Sequence, residues 1–170
     1  MSQRSILILG GARSGKSRHA MRLAEEKANS PVLIATAVAG DEEMRQRIAR
    51  HRRDRGANWT TVEEPLELAG AIASQAPGNV VVVDCLTLWL SNLLHEERDC
   101  GAEVKRLLKA VEDSTAELIL VSNEVGLGIV PPTSLGRKFR DEQGSLNQRL
   151  AEVAGEVVFL VAGLPLPLKS

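Results

Sequence analysis

Short apolar runs alternate along the chain with longer stretches in which apolar residues recur every three or four positions. The short runs are rich in β-branched residues and predict strands over residues 5–9, 32–35, 80–84, 118–122 and 157–161. Because almost every position in these runs is apolar, the strands are expected to be buried on both faces, as in a parallel sheet.

The longer stretches predict helices that would cover such a sheet. Their predicted bounds are 16–28, 42–52, 66–75, 86–95, 103–113 and 134–154. The last helix is the longest, and Gly144 is a candidate break within it. The alternation predicts an α/β fold in three layers, with a mostly parallel central sheet flanked by helices. Ligands are then expected at the carboxyl ends of the strands.

Length and composition narrow the class of protein. The chain has 170 residues, 44% hydrophobic and 25% charged, which predicts one globular domain over residues 1–170. Its formal net charge of −1 gives no positive field for non-specific nucleic-acid binding, so no nucleic-acid partner is expected. Cys85 and Cys100 are too few for a disulfide framework, and no apolar run is long enough to span a membrane. A cytoplasmic location is therefore expected.

The segment after the first predicted strand carries the strongest chemical signal. It reads GGARSGKS, which fits the pattern G-x-x-x-x-G-K-[ST] between a strand and a helix. In such a loop the backbone N–H groups cradle phosphates, the lysine reaches the β- and γ-phosphates, and the final hydroxyl binds Mg²⁺. The alternative is an ordinary glycine-rich turn. The predicted phosphate contacts are Gly10, Gly11, Ala12, Arg13, Ser14, Gly15, Lys16 and Ser17.

Asp84 follows four valines at the end of the third predicted strand. A carboxylate emerging there is predicted to hold Mg²⁺ opposite Ser17, directly or through water, because this metal takes hard oxygen ligands. The alternative is that Asp84 only caps the helix that starts near Leu86.

Residues 45–55 are the most basic part of the chain, with six arginines and one acid. Guanidinium groups match phosphate oxygens, so the cluster is interpreted either as a phosphate-binding surface or as a solvated helix face with neighbouring glutamates as partners. His51 lies within it, three residues after Ile48, on the side of the predicted helix that is expected to be buried. A neutral histidine among arginines can be a nucleophile toward phosphorus, although a lone histidine is more often structural.

Seven segments together resemble one family. They are GGARSGKS at 10–17, IATA at 34–37, DEEMRQRIARHRRDR at 41–55, WTTVEEP at 59–65, DCLTLWLSNLL at 84–94, SNEVGLGIVP at 122–131 and GRKFRDEQGSLNQRLA at 136–151. In this order, over nearly the whole chain, they resemble the bifunctional adenosylcobinamide kinase/adenosylcobinamide-phosphate guanylyltransferase family of cobalamin (vitamin B12) biosynthesis. The resemblance implies a RecA-like P-loop NTPase fold, a cytoplasmic enzyme and a homotrimer.

The resemblance also implies two successive reactions. Such an enzyme phosphorylates adenosylcobinamide with ATP or GTP, and then transfers GMP from GTP onto the new phosphate through a guanylylated histidine. The matching histidine is His51; some members carry a second histidine where this chain has Arg50, which leaves His51 as the candidate. Besides the loop, the implied GTP contacts are Thr36, Ala37, Val38, Arg52, Arg53, Asp54, Arg55, Glu63 and Asp84.

Other functions also fit parts of the sequence. A monofunctional small-molecule kinase would use the same loop, keep His51 as a structural residue and form no covalent nucleotide. A nucleotide-driven switch or nucleic-acid-stimulated ATPase would need a partner surface, and the four aromatic residues and near-zero net charge argue against nucleic acid. Residues 123–131, which contain two glycines, are either a corrinoid-binding loop or a structural connection.

Overall fold

A computed structural model describes residues 2–38, 46 and 57–170, in which strands and helices alternate. The strands are β1 (Ser2–Gly10), β2 (Val32–Ala35), β3 (Thr60–Glu63), β4 (Val80–Asp84), β5 (Glu117–Asn123), β6 (Ala154–Val161) and β7 (Leu164–Lys169). The helices in the same part of the chain are α1 (Lys16–Lys27), α2 (Leu68–Ala73), α3 (Leu86–His95), α4 (Cys100–Asp113) and α5 (Ser134–Val153).

The strands form one seven-stranded sheet in the order β3-β2-β4-β5-β1-β6-β7. Neighbouring strands run parallel throughout, except for the antiparallel pair of β6 and β7. Parallel neighbours need a crossover connection, and the helices supply it. The mostly parallel sheet expected from the sequence is confirmed. Since β1 lies inside the sheet, Gly10 at its end is close to the middle of the carboxyl edge.

Alternation along the central strands divides the core between the two faces of the sheet. On β5, Leu118 and Leu120 pack on the face covered by α2, α3, α4 and α5, whereas Ile119 and Val121 pack on the face covered by α1. The buried residues of α1 include Ala20 and Ala24, whose small side chains let this helix lie close to the sheet. Helices therefore cover both faces, and the carboxyl edge is where ligands have access.

All five predicted strands are present, and residues 2–38 and 57–170 contain two more that the hydrophobic pattern did not predict. β3 is short, mostly exposed and paired only with β2, so no run of buried residues marks it. β7 reads LPLPLK, and its two prolines hid a strand that occupies the edge of the sheet beside β6. Proline is tolerated at an edge because an outward-facing N–H has no ladder partner there.

The predicted helices agree with the structure to within a few residues where the chain is described. The expected break at Gly144 is wrong: α5 runs unbroken from Ser134–Val153, and a Cβ added at Gly144 would meet no neighbouring atom within 4 Å. α4 begins three residues before its predicted start, because the Asp99 carboxylate caps it by accepting from the Ala102 N–H at 3.0 Å. The helix predicted over 42–52 lies outside the described residues apart from Gln46.

Candidate active site

The loop between β1 and α1 has the backbone geometry that its glycines predict. Gly10 has a φ of 154°, and a Cβ at this position would lie 2.7 Å from both the Leu160 carbonyl oxygen and the Ser14 hydroxyl oxygen. Gly15 has a φ of 97° and precedes the first residue of α1. Both positions therefore need glycine, because a side chain would clash at the first and be strained at the second.

Lys16 starts α1, and its side chain folds back onto the loop. The Nζ atom donates hydrogen bonds to the Gly11 carbonyl at 2.5 Å and to the Ser14 hydroxyl at 3.4 Å, and the residue is only 6% exposed. The ammonium is thus held at the loop rather than in open solvent. A positive charge there, beside the N-terminus of a helix, attracts phosphate.

Two other loops support the phosphate loop from either side. After β5, the Glu124 N–H donates to the Gly10 carbonyl at 3.0 Å, and after β6 the Gly163 N–H donates to the Ser14 carbonyl at 2.9 Å. Gly163 has a φ of 80° in the turn between β6 and β7. The sequence pattern did not predict that this turn belongs to the site. The only signal for it was Gly163 itself, between two apolar runs.

The end of β2 is joined to the end of β4 through Thr36. Its hydroxyl donates to the Cys85 carbonyl at 2.7 Å and accepts from the Cys85 N–H at 2.9 Å, and the residue is fully buried. The Thr36 side chain therefore holds in place the backbone next to Asp84. Of the predicted segment, Ala37 is half-buried and Val38 is 54% exposed, so these two residues reach the surface.

Asp84 and Glu63 end their strands at the same edge of the sheet. Ala35 of β2 pairs with Asp84 on one side and with Glu63 on the other. With strands about 4.8 Å apart, the backbones of the two acidic residues are separated by roughly 10 Å. The structure thus brings Glu63, Asp84 and the phosphate loop to one edge of the sheet. Five predicted site residues lie outside the described part of the chain: His51, Arg52, Arg53, Asp54 and Arg55.

Cys85, next to Asp84, gives the site a measurable pH signature. Burial, assisted by the neighbouring Asp84 carboxylate, raises the pKa of the Cys85 thiol to about 11. The unfolded chain releases this proton at lower pH than the folded protein, so the free energy of unfolding should fall as pH rises. Between about pH 8 and pH 10 we expect this thiol to account for a loss of about 1 kcal/mol.

Urea denaturation of the wild type and of Cys85→Ala, each at both pH values, measures this contribution. The variant is less stable at either pH because it leaves a small cavity, but its stability should fall less steeply. All other titrating groups are common to the two proteins. Equal losses between the two pH values would show that the thiol does not carry the effect.

The fold defines the class of protein. It resembles the flagellar accessory protein FlaH of Methanocaldococcus jannaschii with a TM-score of 0.53 and 14% identity, covering 98% of this chain and 78% of that one. It also resembles the RadB recombinase with a TM-score of 0.51 and 15% identity, covering 92% and 74%. Together with the phosphate loop, these likenesses define a RecA-like P-loop NTPase fold, which confirms the predicted fold class.

The sequence then places the chain within that class. Residues 6–168 match the family described as CobU: Cobinamide kinase / cobinamide phosphate guanyltransferase. The chain is 53% identical over 167 residues to the bifunctional adenosylcobalamin biosynthesis protein CobP of Pseudomonas aeruginosa, covering 96% of each chain. It is 41% identical to the bifunctional adenosylcobalamin biosynthesis protein CobU of Escherichia coli, covering 96% of this chain and 99% of the relative. The chain belongs to the cobinamide kinase/cobinamide phosphate guanyltransferase family, which confirms the resemblance and the enzyme class.

Proposed function

We propose that this protein phosphorylates adenosylcobinamide with ATP or GTP and then transfers GMP from GTP onto that phosphate, giving adenosylcobinamide-GDP. The observation that carries the proposal is the family match over residues 6–168, which includes a phosphate loop with its glycines and lysine in place. Both reactions use one nucleotide site, at the carboxyl edge of the single sheet, in one domain spanning residues 1–170.

In the kinase step the loop holds the nucleotide. The N–H groups of residues 10–17 and the Lys16 ammonium bind the β- and γ-phosphates and so fix the γ-phosphorus in line with the attacking hydroxyl. The substrate oxygen forms a bond to the γ-phosphorus while the bond to the bridging oxygen breaks. The nucleoside diphosphate leaves, and the hydroxyl proton passes to solvent. Lys16 stabilises the negative charge that develops on the leaving phosphate.

Mg²⁺ fits the oxygen ligands at this edge. We assign it to the Ser17 hydroxyl and the Asp84 carboxylate, directly or through water. Among the described residues no cluster of three or more His, Cys, Asp or Glu side chains could hold a metal by itself. Two protein oxygens suit Mg²⁺, which keeps several waters and takes its remaining ligands from the phosphates. When bound, the ion neutralises phosphate charge.

In the second reaction His51 is the nucleophile. Its neutral imidazole nitrogen forms a bond to the α-phosphorus of GTP while the bond to the β-phosphate oxygen breaks and pyrophosphate leaves. A phosphate oxygen of adenosylcobinamide phosphate then attacks the same phosphorus, and the P–N bond breaks to restore the histidine. The side chains of Arg52, Arg53 and Arg55 neutralise the departing pyrophosphate, and Asp54, Glu63 and residues 36–38 complete the GTP contacts.

Residues 123–131 form the corrinoid-binding loop in this proposal. They begin at the last residue of β5, at the carboxyl edge, and expose three large apolar side chains: Leu127 at 84%, Ile129 at 98% and Val130 at 57%. Exposed apolar groups beside a phosphate site suit a large substrate whose reacting hydroxyl must reach the γ-phosphate.

The proposed molecule is a cytoplasmic homotrimer. The trimer follows from the family resemblance. Cys85 and Cys100 are both free thiols, as in a reducing compartment, and the reactions need ATP and GTP. In the described ranges, no helix is both long and apolar enough to cross a membrane.

Intact-mass spectrometry tests the proposal. The protein incubated with GTP and Mg²⁺ should gain the mass of GMP, whereas incubation with ATP should leave no nucleotide attached. The adduct should be lost in acid and survive in base, as a phosphorus–nitrogen bond does. A protein that binds GTP and never gains this mass would overturn the guanylyltransferase assignment. It would point instead to the monofunctional kinase, whose activity on adenosylcobinamide is then measured directly.

A further inference from the structure

Asn123 is the last residue of β5, the strand that lies between the phosphate loop and Asp84 in the sheet. In the sheet, β5 separates β1, which leads into the phosphate loop, from β4, which ends at Asp84. Asn123 pairs with Gly10, and Asp84 pairs with Val121, two residues before Asn123. Standard strand spacings then place the Asn123 Cα about 5 Å from that of Gly10 and about 8 Å from that of Asp84.

The alternation of side chains places Asn123 on the face of the sheet that α1 covers. On β5, Ile119 and Val121 belong to the core beneath α1, so the next side chain in the same alternation is that of Asn123. On β4, Val80 and Val82 belong to that same core, and Asp84 follows them in the same way. Asp84, Asn123 and the start of α1 at Lys16 are therefore on one face of the carboxyl edge.

The backbone of Asn123 is fixed on both sides. Its N–H donates to the Thr87 hydroxyl at 2.8 Å, and its carbonyl accepts from the Asn147 side-chain amide at 3.1 Å. The next peptide group is also held, since the Glu124 N–H donates to Gly10. A backbone held in this way gives its side chain a defined position.

The Asn147 side chain, which binds the Asn123 carbonyl, is itself held by two buried polar side chains. The Asn147 Oδ1 accepts from the Ser122 hydroxyl at 2.6 Å and from the Gln143 amide at 3.0 Å. Ser122 and Gln143 are fully buried, and Asn147 is nearly so. Burying three polar side chains is unfavourable unless they are hydrogen-bonded, and here their bonds converge on the end of β5.

The Asn123 side chain itself is left available. It is half-buried, and its amide makes no hydrogen bond with the part of the chain that the structure describes. The amide is neutral and offers two N–H donors, so it can donate a hydrogen bond to a phosphate oxygen. Because it carries no charge, it does not form an ion pair with a neighbouring carboxylate.

We infer that the Asn123 side-chain amide donates a hydrogen bond to the terminal phosphates of the bound nucleotide, which makes it a further catalytic residue for both reactions. A phosphate chain that extends from the loop and Lys16 toward Asp84 has to pass in front of β5, because β5 lies between them. The inference rests on the proposed function for the choice of nucleotide. In the kinase step the amide contacts the γ-phosphate that is transferred, and in the guanylyl step it contacts the pyrophosphate that leaves.

Calorimetric titration of the full chain tests this contact without any turnover. The ligands are GMP and α,β-methylene GTP, whose α–β bridge cannot be cleaved, with no corrinoid present. Asn123→Asp replaces a donor by a charged acceptor, and Asn123→Ser removes the amide without adding charge. A hydrogen bond to a charged group predicts about 10- to 100-fold weaker binding of the triphosphate to Asn123→Asp, and at least about fivefold weaker binding to Asn123→Ser. GMP should bind both variants within about twofold of the wild type.

Asn79→Asp is the matched control, because it makes the same change in charge at the opposite edge of the sheet. Asn79 precedes β4, and its carbonyl accepts from the Glu117 N–H at 2.8 Å. This variant should bind both nucleotides as the wild type does.

Three results would overturn the inference. The first is that both Asn123 variants bind the triphosphate as tightly as the wild type. The second is that a variant loses the same affinity for GMP as for the triphosphate. The third is that only Asn123→Asp loses affinity, which would mean that the new carboxylate repels the phosphates and that the native amide makes no contact. If Asn123→Asp does not fold, the comparison of the two ligands on Asn123→Ser decides the matter. Failure of the proposed function gives a different result. The wild type would then form no GMP adduct, but it would still bind the triphosphate more tightly than the Asn123 variants do.

Discussion

His51→Ala is expected to abolish guanylyl transfer while leaving the phosphorylation of adenosylcobinamide within a few-fold of the wild-type rate. In the proposed mechanism the imidazole supplies the atom that bonds to the α-phosphorus, and alanine offers no substitute. In enzymes with covalent intermediates, removing the nucleophile lowers the rate by roughly 10⁴-fold or more. The kinase step transfers the γ-phosphoryl group directly to the substrate and does not use this atom.

Two measurements follow the two reactions separately. Intact-mass spectrometry with GTP reports the adduct, and chromatography of the corrinoid products reports adenosylcobinamide phosphate and adenosylcobinamide-GDP. The variant should form only the phosphate. His95→Ala is the matched control, because His95 is exposed at the end of α3 and plays no part in the proposed site. A GMP adduct that persists in His51→Ala would place the nucleophile on another residue.

Lys16→Ala is expected to lower the rates of both reactions together, by about 10²- to 10³-fold in kcat/KM. In the proposed mechanism the Lys16 ammonium stabilises charge that develops on the phosphates, and the loss of one such group in an enclosed site has an effect of this size. The same phosphates leave or transfer in the two steps, so one substitution acts on both. This pattern separates Lys16 from His51, which is needed for only one step.

The folded state should tolerate the change at Lys16. The residue is buried, and its Nζ donates a hydrogen bond to the loop carbonyl of Gly11, so alanine removes a buried charge as well as a hydrogen bond. Lys27→Ala is a suitable control on the same helix. Lys27 pairs with Glu117 at 2.9 Å, and such an exposed pair contributes at most about 1 kcal/mol. If Lys16→Ala keeps either rate within about threefold of the wild type, Lys16 has no catalytic role in that step.

The phosphate loop could be predicted from the sequence because its determinants are local. The glycines at positions 10 and 15 are required by the backbone of their own loop, and Lys16 reaches back only five residues to Gly11. The same holds for β4, where four valines and Asp84 are consecutive. A pattern of this kind can be recognised without knowledge of which strands are neighbours.

The rest of the site depends on contacts between distant segments. The hydroxyl of Thr36, a predicted nucleotide contact, is hydrogen-bonded to Cys85, which lies 49 positions later in the chain, and the sequence pattern gives no sign of this bond. The position of Asn123 between Gly10 and Asp84 follows only from the sheet order, in which β5 separates β1 from β4. The edge strand β7 was missed for a different reason: its alternating leucines and prolines match no buried-strand pattern, and only its pairing with β6 identifies it.

The hydrogen bond from Gly163 to Ser14 joins the phosphate loop to a turn that the ribosome adds much later. During synthesis the GGARSGKS segment is made before β6, and it lacks this support until β6 and the turn that follows it have been made. A nascent chain therefore carries the nucleotide-binding sequence long before it has the nucleotide-binding shape. A nucleotide that binds only the folded loop would therefore stabilise fully folded molecules over partly folded ones.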